Sequence, residues 1–221
     1  MSSIIHIKTY NEPPFCEKEI LRYSGCKSTD SEISALMQSA IGEVRKKLIY
    51  KVCYRELQIA VNGDVCDFEH FSVQSKNLAD NLKDCFSVIV FSATVGIEID
   101  RLITKYGRIS PSKALALQAI GAERIEALCD AFCEDIAKEK NITLKPRFSP
   151  GYGDLPLSVQ RDIFNILDCS KRIGVFLNDS MLMSPSKSVT AFVGLTNGEV
   201  KQKMHKCDSC DKIDCSYRGA L

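Results

Sequence analysis

"LIYKVCYRELQIAVNGDVCDF", residues 48–68, sets the fold class. Leu48 to Val61 is rich in β-branched and aromatic residues, Asn62-Gly63-Asp64 is a turn signal, and "VCDF" reads as a returning strand, which together predict an antiparallel pair. Upstream, "STDSEISALMQSAIGEVRKKL" opens with cap-type residues and repeats Ile33, Leu36, Met37, Ala40, Ile41 and Val44 at helical spacing, so an amphipathic helix precedes the strand. Downstream, Ser75 to Cys85 reads as a helix, "FSVIVFSATVG" as a buried strand ending at Gly96, and Ile97 to Tyr106 as a helix. Pro111 sits where a first helical turn tolerates it, and the pattern predicts a long helix from about Ser112 to Lys140. Leu157 to Asp168 is predicted helical, and Ile173–Leu177 and Val189–Leu195 are predicted strands, with "TNGE" as a turn. Strands and helices alternate irregularly. The expected fold is α+β, a mixed and largely antiparallel sheet with helices packed on it, rather than a doubly wound sheet.

The chain has 221 residues, 45% of them hydrophobic, which is enough for a substantial core. Its net charge is +1, and no basic run or aromatic-basic stripe suggests a surface that tracks phosphates, so nucleic acid is not an expected partner. The start, "MSSIIHIKTYNEPPF", has no apolar core of signal-peptide type, and the apolar run at Phe86–Val95 is too short to span a bilayer. A cytoplasmic protein without a membrane partner is expected. The organisation expected is one domain over residues 1–205 and a cysteine-containing tail over 206–221.

Of the eleven cysteines, Cys16, Cys26, Cys53, Cys66, Cys85, Cys129, Cys133 and Cys169 lack metal-site spacing and read as reduced thiols, many of them small core hydrophobes. Cys207, Cys210 and Cys215 differ: they form C-x2-C-x4-C in "KCDSCDKIDCSYR". A closed zinc site or an iron–sulfur cluster usually takes four protein ligands, so a fourth would have to come from His205 or a partner. Free thiols, zinc and a cluster all remain open. No dinucleotide fingerprint or P-loop occurs, and His6, His70 and His205 have no nucleophile context. No catalytic residue is expected.

"RFSPGYGDLP", residues 147–156, is a shaped loop: Pro150 and Pro156 lack N–H donors, and Gly151 can take backbone angles closed to other residues. On residues alone it is either a plain connection containing Arg147 or a ligand loop. Four segments taken together, this loop, "VQRDIFNIL", "IGVFLNDSMLMSPSKSVTAFVG" and the earlier "GAERIEALCDAF", resemble the activation domain of cobalamin-dependent methionine synthase, the module that binds S-adenosylmethionine. The resemblance runs from about Gly121 to Gly194 and rests on R-x-x-x-G-Y, on "SMLMSPSKSV" and on "EALCD", in the family's order. Near the start, "EILRYSGCK" resembles free-standing members of the family.

That resemblance implies an S-adenosylmethionine-binding reactivation protein for a separately encoded synthase that lacks its own activation domain. The partner would supply the cobalamin, and flavodoxin or ferredoxin the single electron. Arg147 would hold the methionine carboxylate with its guanidinium fork, Gly151 would let backbone approach, and Tyr152 would give an aromatic face. Ser149 and Pro150 complete the implied ligand set, and Glu126 aligns with an acidic residue of the family's pocket, although as a helix residue it could equally be solvated. Ser180, Met183, Pro185 and Ser188 are read as supporting structure. The sequence departs from the family in having no tyrosine in "LTNGEVKQKMHK" and no clear acidic contact near its start. An alternative function is a redox or docking partner of a corrinoid protein, with an iron–sulfur cluster or metal on the tail.

Overall fold

A computed structural model describes residues 4–26 and 30–198. The chain runs β1 (His6–Tyr10), α1 (Glu17–Ser24), α2 (Ser31–Val44), β2 (Tyr50–Asn62), β3 (Val65–Phe68), β4 (Phe71–Gln74), α3 (Lys76–Leu82) and β5 (Ser87–Thr94). It continues through α4 (Glu98–Ile109), α5 (Pro111–Lys140), β6 (Thr143–Leu144), α6 (Val159–Leu167), α7 (Cys169–Ile173), β7 (Phe176–Leu177), β8 (Met183–Ser184) and β9 (Ser188–Thr196). The expected α+β class is observed, and every strand pair among the described residues is antiparallel.

The main sheet has the order β4-β3-β2-β5-β9-β6. The long β2 is the hinge of this arrangement, because β1 pairs with its first part, β3 with its last, and β5 runs along its other edge. Local signals explain the elements. Asp30 caps α2 by accepting the Ile33 N–H at 2.8 Å, and Ser75 caps α3 by accepting from Leu78 at 3.1 Å. Pro111 opens the thirty-residue α5, and Asn141, in a left-handed conformation, closes it.

Helices cover both faces of the sheet. Val52, Tyr54, Ile89, Phe91 and Val193 bury one face against α1, α2, α4 and α5, where Leu117, Ile120, Leu128 and Phe132 supply the packing. Cys53, Leu57, Val88, Val90 and Phe192 bury the other against α3, α6 and α7. All eight residues of β5 are therefore buried, which is why its sequence is a near-continuous apolar run instead of an alternating one.

The expected strand at Ile173–Leu177 is corrected. Ile173 ends the helix α7, Gly174 closes it with a left-handed backbone, and only Phe176–Leu177 is extended, paired with β8 in a separate two-stranded sheet. Burial of Ile173 among the α6–α7 contacts outweighs the β preference of a short branched run. The elements β1, α1 and β4 were not anticipated. β1 is an edge strand whose residues are mostly exposed or half-buried, so it lacks the hydrophobic signature of the others. Among the described residues no helix is long and apolar enough to cross a membrane.

Candidate functional site

The main cavity, of about 750 Å³, lies where the chain leaves the sheet after β6. That volume is within the range of small-molecule pockets. Phe148 forms an isolated bridge with Phe192 of β9, and the Ser149–Leu155 loop then departs, so the β9 edge at Ser188, Val189 and Thr190 lines the cavity instead of being covered by another strand. α5 forms the facing wall through Glu126, Asp130 and Cys133, which fall on one helical face at spacings of four and three.

Arg147 sits between the two acidic residues. Its Nη2 donates to Glu126 Oε2 at 2.8 Å and its Nη1 to Asp130 Oδ1 at 2.5 Å. The arginine side chain is 25% exposed, whereas Glu126 and Asp130 are 44% and 62% exposed. Burial works against the Arg147 charge, but the carboxylates of Asp130 and Glu126 overcome it and lift its proton affinity above the ordinary arginine value. Burial likewise pushes the Cys133 thiol up, against the pull of Arg147, and Cys129 still further. Both therefore remain neutral thiols at neutral pH.

The loop is held in place by its own turns and by α3. Gly151, at φ +88°, donates to Leu155 O at 2.9 Å, and Tyr152 donates to Ser149 O at 3.1 Å. Asp154 accepts from the Ser75 hydroxyl at 2.5 Å and from the backbone N–H groups of Lys76 and Asn77 at 2.8 and 3.1 Å; the Ser75 hydroxyl is the main reason its carboxyl lies below the usual range. A Cβ on Gly153 would lie 2.2 Å from Asn77 Oδ1, so the backbone needs glycine to approach α3 this closely. At the loop's other end Asn81 Nδ2 donates to Pro146 O at 3.3 Å. One short helix thus supports the chain on both sides of Arg147.

Of the anticipated residues, Arg147, Ser149, Pro150, Tyr152 and Glu126 line the cavity, with Tyr152 64% exposed at its rim. Gly151 is absent from the lining and shapes the turn beneath it. Met183 and Ser188, read from sequence as supporting structure, also line the cavity. Asp130, Cys133, Gln160 and Thr190 were not anticipated. Asp130 could have been, since it lies four residues after Glu126 on the same helix face. Cys207, Cys210 and Cys215, with His205, lie outside the described residues. Among the described residues no group of three or more His, Cys, Asp or Glu side chains is placed to hold a metal ion.

The architecture, a helix-covered antiparallel sheet, shares its fold with a solved protein: the chain superposes on a crystal structure described as the MetH reactivation domain bound to AdoHcy with a TM-score of 0.66. The alignment covers 89% of this chain and 79% of that one, at 13% sequence identity. Residues 73–212 match the family model described as vitamin B12 dependent methionine synthase, activation domain, and the chain belongs to that family. No curated protein matches the sequence.

Proposed function

We propose that this chain binds S-adenosylmethionine in the Arg147 cavity and supports reactivation of a separately encoded cobalamin-dependent methionine synthase. The observation that carries this reading is the Arg147 fork, held between two accessible carboxylates at the wall of a cavity of ligand size. A carboxylate entering the cavity can replace one acidic partner on the fork through charge-assisted hydrogen bonds, leaving the freed Glu126 or Asp130 to face the ligand's cationic groups. The residues present fit the group: a fixed cation, two anions and an aromatic rim at Tyr152.

The corrinoid held by the partner is the substrate of this reactivation. One electron from a donor such as flavodoxin or ferredoxin, and the methyl group of the sulfonium, regenerate the methylated corrinoid and leave S-adenosylhomocysteine. This chain's own part is to bind and orient the sulfonium compound, because positioning alone removes much of the entropic cost of a reaction between two bound groups. We take residues 1–205 as the domain proper and propose that the tail 206–221, through Cys207, Cys210 and Cys215, binds metal or engages the partner.

The test is reconstitution. Purified chain, S-adenosylmethionine, a one-electron reductant and an inactive cob(II)alamin synthase lacking its own activation domain should together restore methylcobalamin, seen in the visible spectrum. Omission of the chain should abolish recovery. Recovery at the same rate without the chain would overturn the proposal, as would methyl transfer by the chain with no corrinoid present.

A further inference from the structure

Two residues that line the cavity carry buried polar atoms that the ionic cluster does not explain. Five buried side-chain atoms lack a hydrogen-bond partner among the described residues: Tyr50 Oη, Asn81 Oδ1, Ser92 Oγ, Gln160 Oε1 and Thr190 Oγ1. Gln160 and Thr190 line the cavity, and their residues are only 6% and 2% exposed. Leaving buried acceptors unpaired is costly, and native structures keep few of them unless a site requires it.

Their place in the fold separates them from Arg147. Thr190 pairs in register with Ser92, and Ser92 with Cys53, so the three side chains share one face of the sheet. That face is covered by α6, which carries Gln160 in its first turn, and by α3 and α7. Arg147 instead reaches Glu126 and Asp130 on α5, which packs on the opposite face. The cavity therefore wraps over the open edge of β9, with a charged group on one side of the sheet and two neutral side chains with unpaired oxygens on the other.

We infer that Gln160 and Thr190 recognise the nucleoside part of the ligand, accepting hydrogen bonds from its neutral N–H and O–H donors, while Arg147 takes the charged amino-acid part. The assignment rests on the proposed S-adenosylmethionine reading, and follows from matching chemistry. The ligand's charges lie at its amino-acid end and sulfonium, whereas an adenine amino group and two ribose hydroxyls are the uncharged donors that a buried amide oxygen and hydroxyl can satisfy. A ligand must then lie across the sheet edge, with its sulfonium over β9. Such a site discriminates strongly, because an analogue without the donor leaves the buried acceptors unpaired.

The test uses calorimetry on the full chain with S-adenosylmethionine and with its decarboxylated analogue. Gln160→Met and Thr190→Val, which keep side-chain size, should each weaken both ligands equally, by roughly tenfold to a hundredfold, the range for losing one buried hydrogen bond. Arg147→Ala should weaken only the ligand that has a carboxylate. Thr190→Ser, which retains a hydroxyl, should restore most of the affinity. Both apolar variants should melt no lower than wild type without ligand, because each removes an unpaired buried polar atom, a result that a structural role for these groups would not give. Wild-type affinity in folded Gln160→Met and Thr190→Val would overturn the assignment and leave the proposed function standing. Failure of the wild-type chain to bind S-adenosylmethionine would overturn both.

Discussion

Two arginines, Arg124 within α5 and Arg147 beyond its end in the chain, are both paired with carboxylates, yet they serve different ends. Arg124 is fully buried; its Nε bonds Glu123 Oε2 at 2.6 Å, its Nη2 also reaches Glu123 Oε1, and its two Nη atoms donate to the carbonyls of Pro13 and Pro14 at 2.5 and 2.7 Å. The guanidinium lies 3.9 Å from the ring centroid of Phe15, and Glu123 in turn accepts the Cys16 N–H at 3.1 Å. Every one of these partners belongs to the fold, and the cluster pins the chain between β1 and α1 onto α5. Arg147 has partners that are exposed and face a cavity. A buried charge whose hydrogen bonds all go to protein is a fastener; one whose partners remain accessible can exchange them for a ligand.

Substitution should separate the two. Arg124→Met leaves Glu123 buried without its counter-ion and should cost about 3–5 kcal/mol of stability, read by chemical denaturation. Adding Glu123→Leu should recover a large part of it. Stability unchanged in Arg124→Met would remove the contrast altogether.

A structural carboxylate should also show itself in the pH dependence of stability. Glu43 on α2 is bound by Lys113 at 2.7 Å and by the Tyr106 hydroxyl at 2.6 Å. Burial alone would raise its carboxyl, and these hydrogen bonds outweigh that and hold it at about 2. Because the folded-state value is depressed, the stabilisation is complete above the ordinary glutamate range and is withdrawn as pH falls from about 4.5 through 2, by at most about 3 kcal/mol. Glu43→Gln should flatten that part of a stability-versus-pH curve; an unaltered slope would place the acid sensitivity elsewhere.

Gly153→Ala probes the support beneath the Arg147 loop. It combines a left-handed backbone with a collision against Asn77, and should cost about 1–2 kcal/mol of stability while also weakening ligand binding. Equal affinity in this variant would show that the α3 contact fixes the loop more tightly than binding needs. The smallest stability change belongs to Arg147→Ala, no more than about 1 kcal/mol, since its ion pairs are partly solvated.

The legibility of the sequence follows the same division between local and long-range causes. The α5 start at Pro111, the capped α2 and the turn after Asn62 were readable because their determinants are neighbours in the chain. The loop around Arg147 was readable through its prolines, its glycines and a family pattern. β1 was not, because it is held at the sheet edge by β2, whose paired residues Tyr50–Tyr54 lie far along the chain from His6–Tyr10, with little burial of its own. Nor was the neutral pair: Gln160 reads as an ordinary helix residue and Thr190 as an ordinary strand residue until the sheet edge brings them to one cavity. The pairing of Arg147 with Asp130 needed the same long-range closure, although the helical spacing from Glu126 hinted at it.

The most direct test of the central claim is a calorimetric titration of S-adenosylmethionine into wild-type and Arg147→Ala protein whose unfolding curves have been measured in parallel. The account predicts binding to the wild type and a loss of roughly 1.5–3 kcal/mol in the variant, with Arg147→Lys also weakened because a single ammonium cannot reproduce the fork. Wild-type affinity in a folded Arg147→Ala protein would contradict it.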